Sequence, residues 1–183
     1  MTLRAAARLA VLAAVPAFVA AQTAPSPPRS PQELLRAARA LALSGDLADI
    51  DAVGGMLGVR FVPAPAPPSA GRDTVSFRLQ RYDRRLFDPR HGPADYYRQQ
   101  PAGKSWQRIG IMLPLAVRRT CVTVADFVAV FGAGARRREA TDNGGFGYIW
   151  ETRQGNEISV SGFFGHARCM GDLTLQQNVD RLD

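Results

Sequence analysis

Two runs between Cys121 and Cys169 decide how this chain folds: CVTVADFVAVFG at 121–132 and FGYIWETRQGNEISVSGFF at 146–164. In the first, Thr123 puts a hydroxyl at a helix N-cap and Asp126 a carboxylate three residues on, the pairing that satisfies free N–H groups at a helix start. Val124, Phe127, Val130 and Phe131 gather on one face, and Gly132 stands where a left-handed terminating residue is wanted. The spacing predicts a short helix that packs inward and stops at Gly132. In the second run, Phe146, Tyr148, Trp150 and Thr152 alternate with Gly147, Ile149, Glu151 and Arg153, the period of a strand. Gly155-Asn156 supplies a tight reversal, after which Ile158, Val160 and Gly162 alternate with Glu157, Ser159 and Ser161. The pair reads as an antiparallel hairpin. Phe163 and Phe164 point to opposite faces, and Leu173 to Gln176 form one more short alternating run.

The cysteines bounding this segment are the only two in the chain, so their state depends on compartment. Arg4 and Arg8 precede an apolar stretch from Leu9 to Val19, and Val19-Ala20-Ala21 fits a cut before Gln22. Residues 1–21 therefore read as a secretory signal peptide. The apolar run is too short to span a bilayer, and no cysteine follows it to accept a lipid. The mature chain is expected in the periplasm or secreted, with no transmembrane segment. In an oxidising compartment Cys121 and Cys169 read as a structural disulfide, and closing a loop of this length is worth about 4 kcal/mol. A reactive or metal-binding thiol is the other reading. His166 stands near Cys169, but no second pair of ligands accompanies it to complete a zinc site. No metal and no cofactor are expected.

Outward from the segment, residues 22–30 are rich in proline and serine and read as a flexible leader. Ser30-Pro31-Gln32-Glu33 is a strong helix start, the stripe of Leu34, Leu35, Ala38, Leu41 and Ala42 faces inward, and Ser44-Gly45 ends the helix. Asp49 caps a second short helix. There Ile50, Val53, Met56, Leu57 and Gly58 fall at the same offsets from the cap as Val124, Phe127, Val130, Phe131 and Gly132 do from Thr123. Two readings of that repetition stand: related halves at 46–115 and 120–180, or coincidence between two short amphipathic helices.

Val59 to Val62 suits an edge strand, and the prolines from Pro63 to Pro68 suit a connector. Thr74 to Tyr82 alternates again, with Val75, Phe77 and Leu79 toward the core. Asp83 to Ser105 reads as a long loop anchored by Tyr96 and Tyr97. Ile109 to Leu115 is a strand whose Pro114 argues for an edge or a bulge. The fold class is α+β: short helices packed on one face of a mostly antiparallel sheet, in a single domain over 31–183.

Removing residues 1–21 with Arg4 and Arg8 takes the formal net charge from +7 to +5. Lys104 is the only lysine. The arginine clusters at Arg84-Arg85, Arg118-Arg119 and Arg136-Arg137-Arg138 suit phosphates, an acidic protein or simply water. Nucleic acid is disfavoured by export and by aromatics that follow strand alternation rather than a stacking platform. Catalysis finds little support. His91 in Asp88-Pro89-Arg90-His91 and His166 are the only histidines, and no nucleophile turn accompanies either. Gly144-Gly145-Phe146-Gly147 does not run from a strand into a helix with a lysine, as a phosphate cradle would.

The run from Thr123 to Gly132, with the aromatic strand Phe146 to Trp150 and the hairpin at Gly155-Asn156, resembles small envelope proteins of the β-lactamase-inhibitor-protein-like and SmpA/OmlA-like group. The resemblance covers the final third of the chain. It implies a short helical pair before an antiparallel sheet, and tandem copies of the kind found in the inhibitor proteins. It also implies a non-catalytic module, inhibitor- or immunity-like, that binds another protein through an exposed sheet face. The arginine-rich stretch at 133–145 and the prolines at 63–68 depart from that layout. Tyr96, Tyr97, Arg136, Arg137, Arg138, Phe146, Tyr148 and Trp150 are the expected contact residues, since aromatic and arginine anchors dominate interfaces. A small secreted hydrolase using His91 or His166 is the alternative.

Overall fold

Each helix begins where a capping side chain stands. In the computed structural model, which describes residues 27–65, 73–91, 95–139, 145–165 and 168–181, Ser30 Oγ accepts from Glu33 N at the start of α1 (Pro31–Ser44). Asp49 accepts from Asp51 N and Ala52 N at the start of α2 (Ile50–Leu57). Thr123 and Asp126 close a full capping box at the start of α3 (Val124–Phe131). Gly45, Gly58 and Gly132, all at positive φ, end the three helices, as a side chain there would be strained. Residues 1–26, where a signal peptide and most of a flexible leader were expected, lie outside the described residues.

Eight strands follow from alternation: β1 (Arg60–Ala64), β2 (Thr74–Arg81), β3 (Asp95–Gln99), β4 (Arg108–Pro114), β5 (Arg136–Glu139), β6 (Phe146–Gln154), β7 (Asn156–Phe164) and β8 (Met170–Gln177). They form one antiparallel sheet in the order β1-β2-β3-β4-β8-β7-β6-β5. Read inward from either edge, the chain runs through three consecutive hairpin pairings, and β4 meets β8 at the centre.

Two strands stand where loops were expected. β3 lies within the supposed long loop 83–105, and β5 within the arginine-rich connection. β4 is also no edge strand, for it pairs with β3 on one side and β8 on the other. Its proline is tolerated because Pro114 is the strand's last residue, where a missing N–H interrupts little of the ladder.

One set of alternating positions forms the core. Ile109, Ile111 and Leu113 on β4 are register partners of Gln177, Leu175 and Leu173 on β8. These in turn partner Ile158, Val160 and Gly162 on β7. Leu34, Leu35, Ala38 and Leu41 of α1, Val53 and Leu57 of α2, and Phe127 and Phe131 of α3 join the same buried cluster. Burying each large apolar side chain stabilises the fold by roughly 1.5–3 kcal/mol. α1 touches α2, α3, β6 and β7, while α2 touches β1. Val75, expected inside, is 46% exposed at the rim.

Polar ties join α1 to the sheet and to α3. Asn156 Nδ2 in the β6–β7 turn donates to Gly45 O at 2.7 Å, and Gln32 Nε2 of α1 donates to Asp126 Oδ1 of α3 at 2.7 Å. The Cys121–Cys169 disulfide joins the approach to α3 to the β7–β8 connection. Beside it Met170 N donates to Val122 O at 2.8 Å.

Candidate functional site

Because side chains alternate across a strand, the positions between the core residues define a second face. One line of register partners crosses all eight strands there: Val62, Arg78, Asp95, Met112, Thr174, Ser161, Ile149 and Arg136. A parallel line runs through Ser76, Tyr97, Gly110, Gln176, Ser159 and Glu151. Small and polar side chains dominate the centre, and charges of both signs stand toward the ends.

Two aromatic rings rest on glycines of this surface. A Cβ on Gly110 would fall 2.1 Å from Tyr97 Cε1, and one on Gly145 would fall 2.3 Å from Phe163 Cζ. Each glycine lets its ring lie against the backbone. Tyr97 and Met112 remain 36% and 38% exposed, so the face offers apolar surface among its polar groups. Between Phe163, Ile149, Ser161, Asp172 and Gln176 lies a recess of about 260 Å³ with Arg138 at its rim. Burial raises the Asp172 carboxyl above the ordinary carboxylate range, and a hydrogen bond from Thr174 Oγ1 at 3.4 Å opposes that shift. Burial likewise raises Asp95. The Asp172 carboxylate is partly stripped of water without a cation paired to it among the described residues, so a basic group arriving from outside would be favoured there.

The expected contact residues divide between the two faces. Tyr97, Arg136 and Arg138 lie on the second face, and Arg136 Nη2 pairs with Glu151 Oε1 at 2.8 Å. Tyr96 is fully buried. Its hydroxyl donates to Leu47 O at 2.9 Å, which makes it a core residue rather than a contact. Phe146, Tyr148 and Trp150 also face the core side. Trp150 packs on Phe131 with ring centroids 5.3 Å apart, Tyr148 on Phe127 at 6.2 Å, and Phe146 stacks on Phe164 at 5.5 Å. Arg39 of α1 lies over the Trp150 ring at 5.8 Å, and Arg137 over Phe146 at 4.7 Å. The aromatic strand is thus oriented by the helices, and the residues it turns outward are Gly147, Ile149, Glu151 and Arg153.

The residues that line the second face in their place, Asp95, Met112, Phe163, Asp172, Thr174 and Gln176, carry one signal in the sequence: each alternates with a core position. His91 belongs by its backbone to a 3₁₀ turn at Pro89–His91. Its side chain, and all of His166, lie outside the described residues. Among the described residues no group of three or more His, Cys, Asp and Glu could hold a metal ion, and no helix is long and apolar enough to cross a membrane.

Fold and face together define a class, an α+β protein built on one antiparallel sheet. Among known proteins the chain matches no family model, no curated protein and no solved structure.

Proposed function

We propose that this is an exported, non-catalytic protein-binding module, periplasmic or secreted, which covers one face of its sheet with short helices and grips another protein with the other. The observation that carries the proposal is the second face itself. It spans eight strands, leaves Tyr97 and Met112 exposed, and holds a partly dehydrated carboxylate, Asp172, beside a recess. Dehydrated charge beside apolar surface costs stability in the free protein and is recovered when a complementary group docks. The N-terminal leader pattern supports export, and the disulfide suits an oxidising compartment.

The resemblance to the β-lactamase-inhibitor-protein-like group supports an inhibitor- or immunity-like role. The order β1-β2-β3-β4-β8-β7-β6-β5 supports two related halves, since a helix precedes four strands in each. Charge along the face makes the partner mixed in character. Arg78, Arg136 and Arg138 suit acidic side chains toward the ends, while Asp95 and Asp172 suit basic ones between them.

Photocrosslinking in the native envelope tests the proposal. A benzoylphenylalanine at Met112 is expected to give one discrete adduct, lost on adding Tyr97→Ala and Phe163→Ala, while the same probe at Gly55 on α2 gives none. No adduct from Met112, or equal adducts from both positions, would sink the reading.

A further inference from the structure

Two arginine clusters that are distant in sequence meet at one end of the molecule. Arg84, in the turn after β2, and Arg119, in the turn after β4, line the same recess of about 210 Å³ with Arg90, Asp88, Tyr82 and Phe87. Two of the three guanidiniums are held in place by the protein. Arg119 Nη1 donates to Arg84 O at 2.9 Å. Arg90 donates to both oxygens of Asp88, from Nε and Nη2, each at 2.8 Å. Phe87 is buried beneath them, and Asp88 N donates to Pro114 O at 3.0 Å, which ties this floor to the end of β4.

The charge of the recess is not balanced from within. Asp88 offsets Arg90, but among the described residues no carboxylate pairs with Arg84 or Arg119. A positive concavity with pre-oriented forked donors favours an anion, because ordering its side chains costs little once they are already held. The geometry also selects among anions. Three guanidiniums from two separate connections, β2–β3 and β4–α3, call for an acceptor that offers oxygens in several directions, which a tetrahedral phosphate does and a planar carboxylate does not.

We infer that the recess between Arg84, Arg90 and Arg119 is an anion site for a phosphate group, separate from the sheet face and independent of what that face binds. A phosphomonoester in solution and a lipid phosphate at a membrane surface present the same chemistry.

Titrating the purified, disulfide-intact protein with inorganic phosphate, and with acetate at matched ionic strength, tests this by NMR of amide and arginine Nε signals. Phosphate is expected to give saturable shifts at Arg84, Arg90 and Arg119, and acetate only small linear ones. The Arg84→Ala/Arg119→Ala double variant is expected to weaken phosphate binding by about tenfold or more, the scale of one lost charge-assisted bond. Arg118→Ala, a neighbouring arginine outside the recess, should leave it within about twofold. Equal responses to the two anions, shifts elsewhere, or an unaffected and folded double variant would overturn the assignment. Co-sedimentation with phosphatidic-acid vesicles then identifies a lipid source, and saturation by glycerol phosphate without vesicle binding identifies a soluble one.

Discussion

At Tyr96 a single hydroxyl joins distant parts of the chain. It donates to Leu47 O in the link between α1 and α2, and Leu47 N donates to Gln177 Oε1 at the end of β8, at 2.7 Å. Tyr96→Phe leaves the buried Leu47 carbonyl with less than its due, and the expected cost is about 1–2 kcal/mol in denaturant unfolding. The same burial pushes the phenol up to about 12. The unfolded chain gives up that proton at about pH 10 while the folded chain still holds it. The stability Tyr96 contributes is therefore whole below about pH 10 and drains away as pH climbs toward the folded value. In Tyr96→Phe that share of the alkaline loss should vanish, which unfolding curves collected across the range will reveal. A tyrosine in a proline-containing polar segment gives no warning of this role, because burial of a lone aromatic is decided by the strands that pair around it.

Among the elements, β5 bears the oddest sequence, three arginines in a row on an outer strand. An exposed strand edge invites pairing with another chain, and long charged side chains discourage it. Arg136→Val with Arg138→Val should leave the fold intact yet raise concentration-dependent association in light scattering, since the Arg136–Glu151 pair it removes is exposed and weak. The opposite edge, β1, is short and carries Pro63, a second device to the same end. These strands also explain what was readable. The three helices were legible because Ser30, Asp49 and Thr123 announce their starts, and β6, β7 and β8 because apolar residues alternate along them. β3 and β5 were not, since each buries little: Asp95-Tyr-Tyr-Arg-Gln sends one side chain fully inward, and Arg136 to Arg138 send none. The second face of the sheet was legible only as the polar half of an alternation. Aromatics at every second position of β6 marked the core instead, and which residues neighbour one another across strands is set by register, which no local pattern carries.

For the molecule as a whole, the disulfide holds the passage from the first four strands to α3 against the β7–β8 connection. Reducing it, or replacing both cysteines with serine, is expected to cost about 4 kcal/mol and so lower the melting temperature markedly without altering the native sheet. Calorimetry with and without reductant measures the loss, and Cys121, being exposed, leaves the bond open to small thiols. The central seam has a consequence in time. β4 is complete long before the residues of β8 exist, and until β8 slides in between β4 and β7, the four-strand section β1–β4 and the three-strand section β5–β7 have no common ladder. The sheet is thus assembled like an arch around its keystone, and removal of Met170–Gln177 would leave two ribbons with no shared ladder in place of a single broad surface.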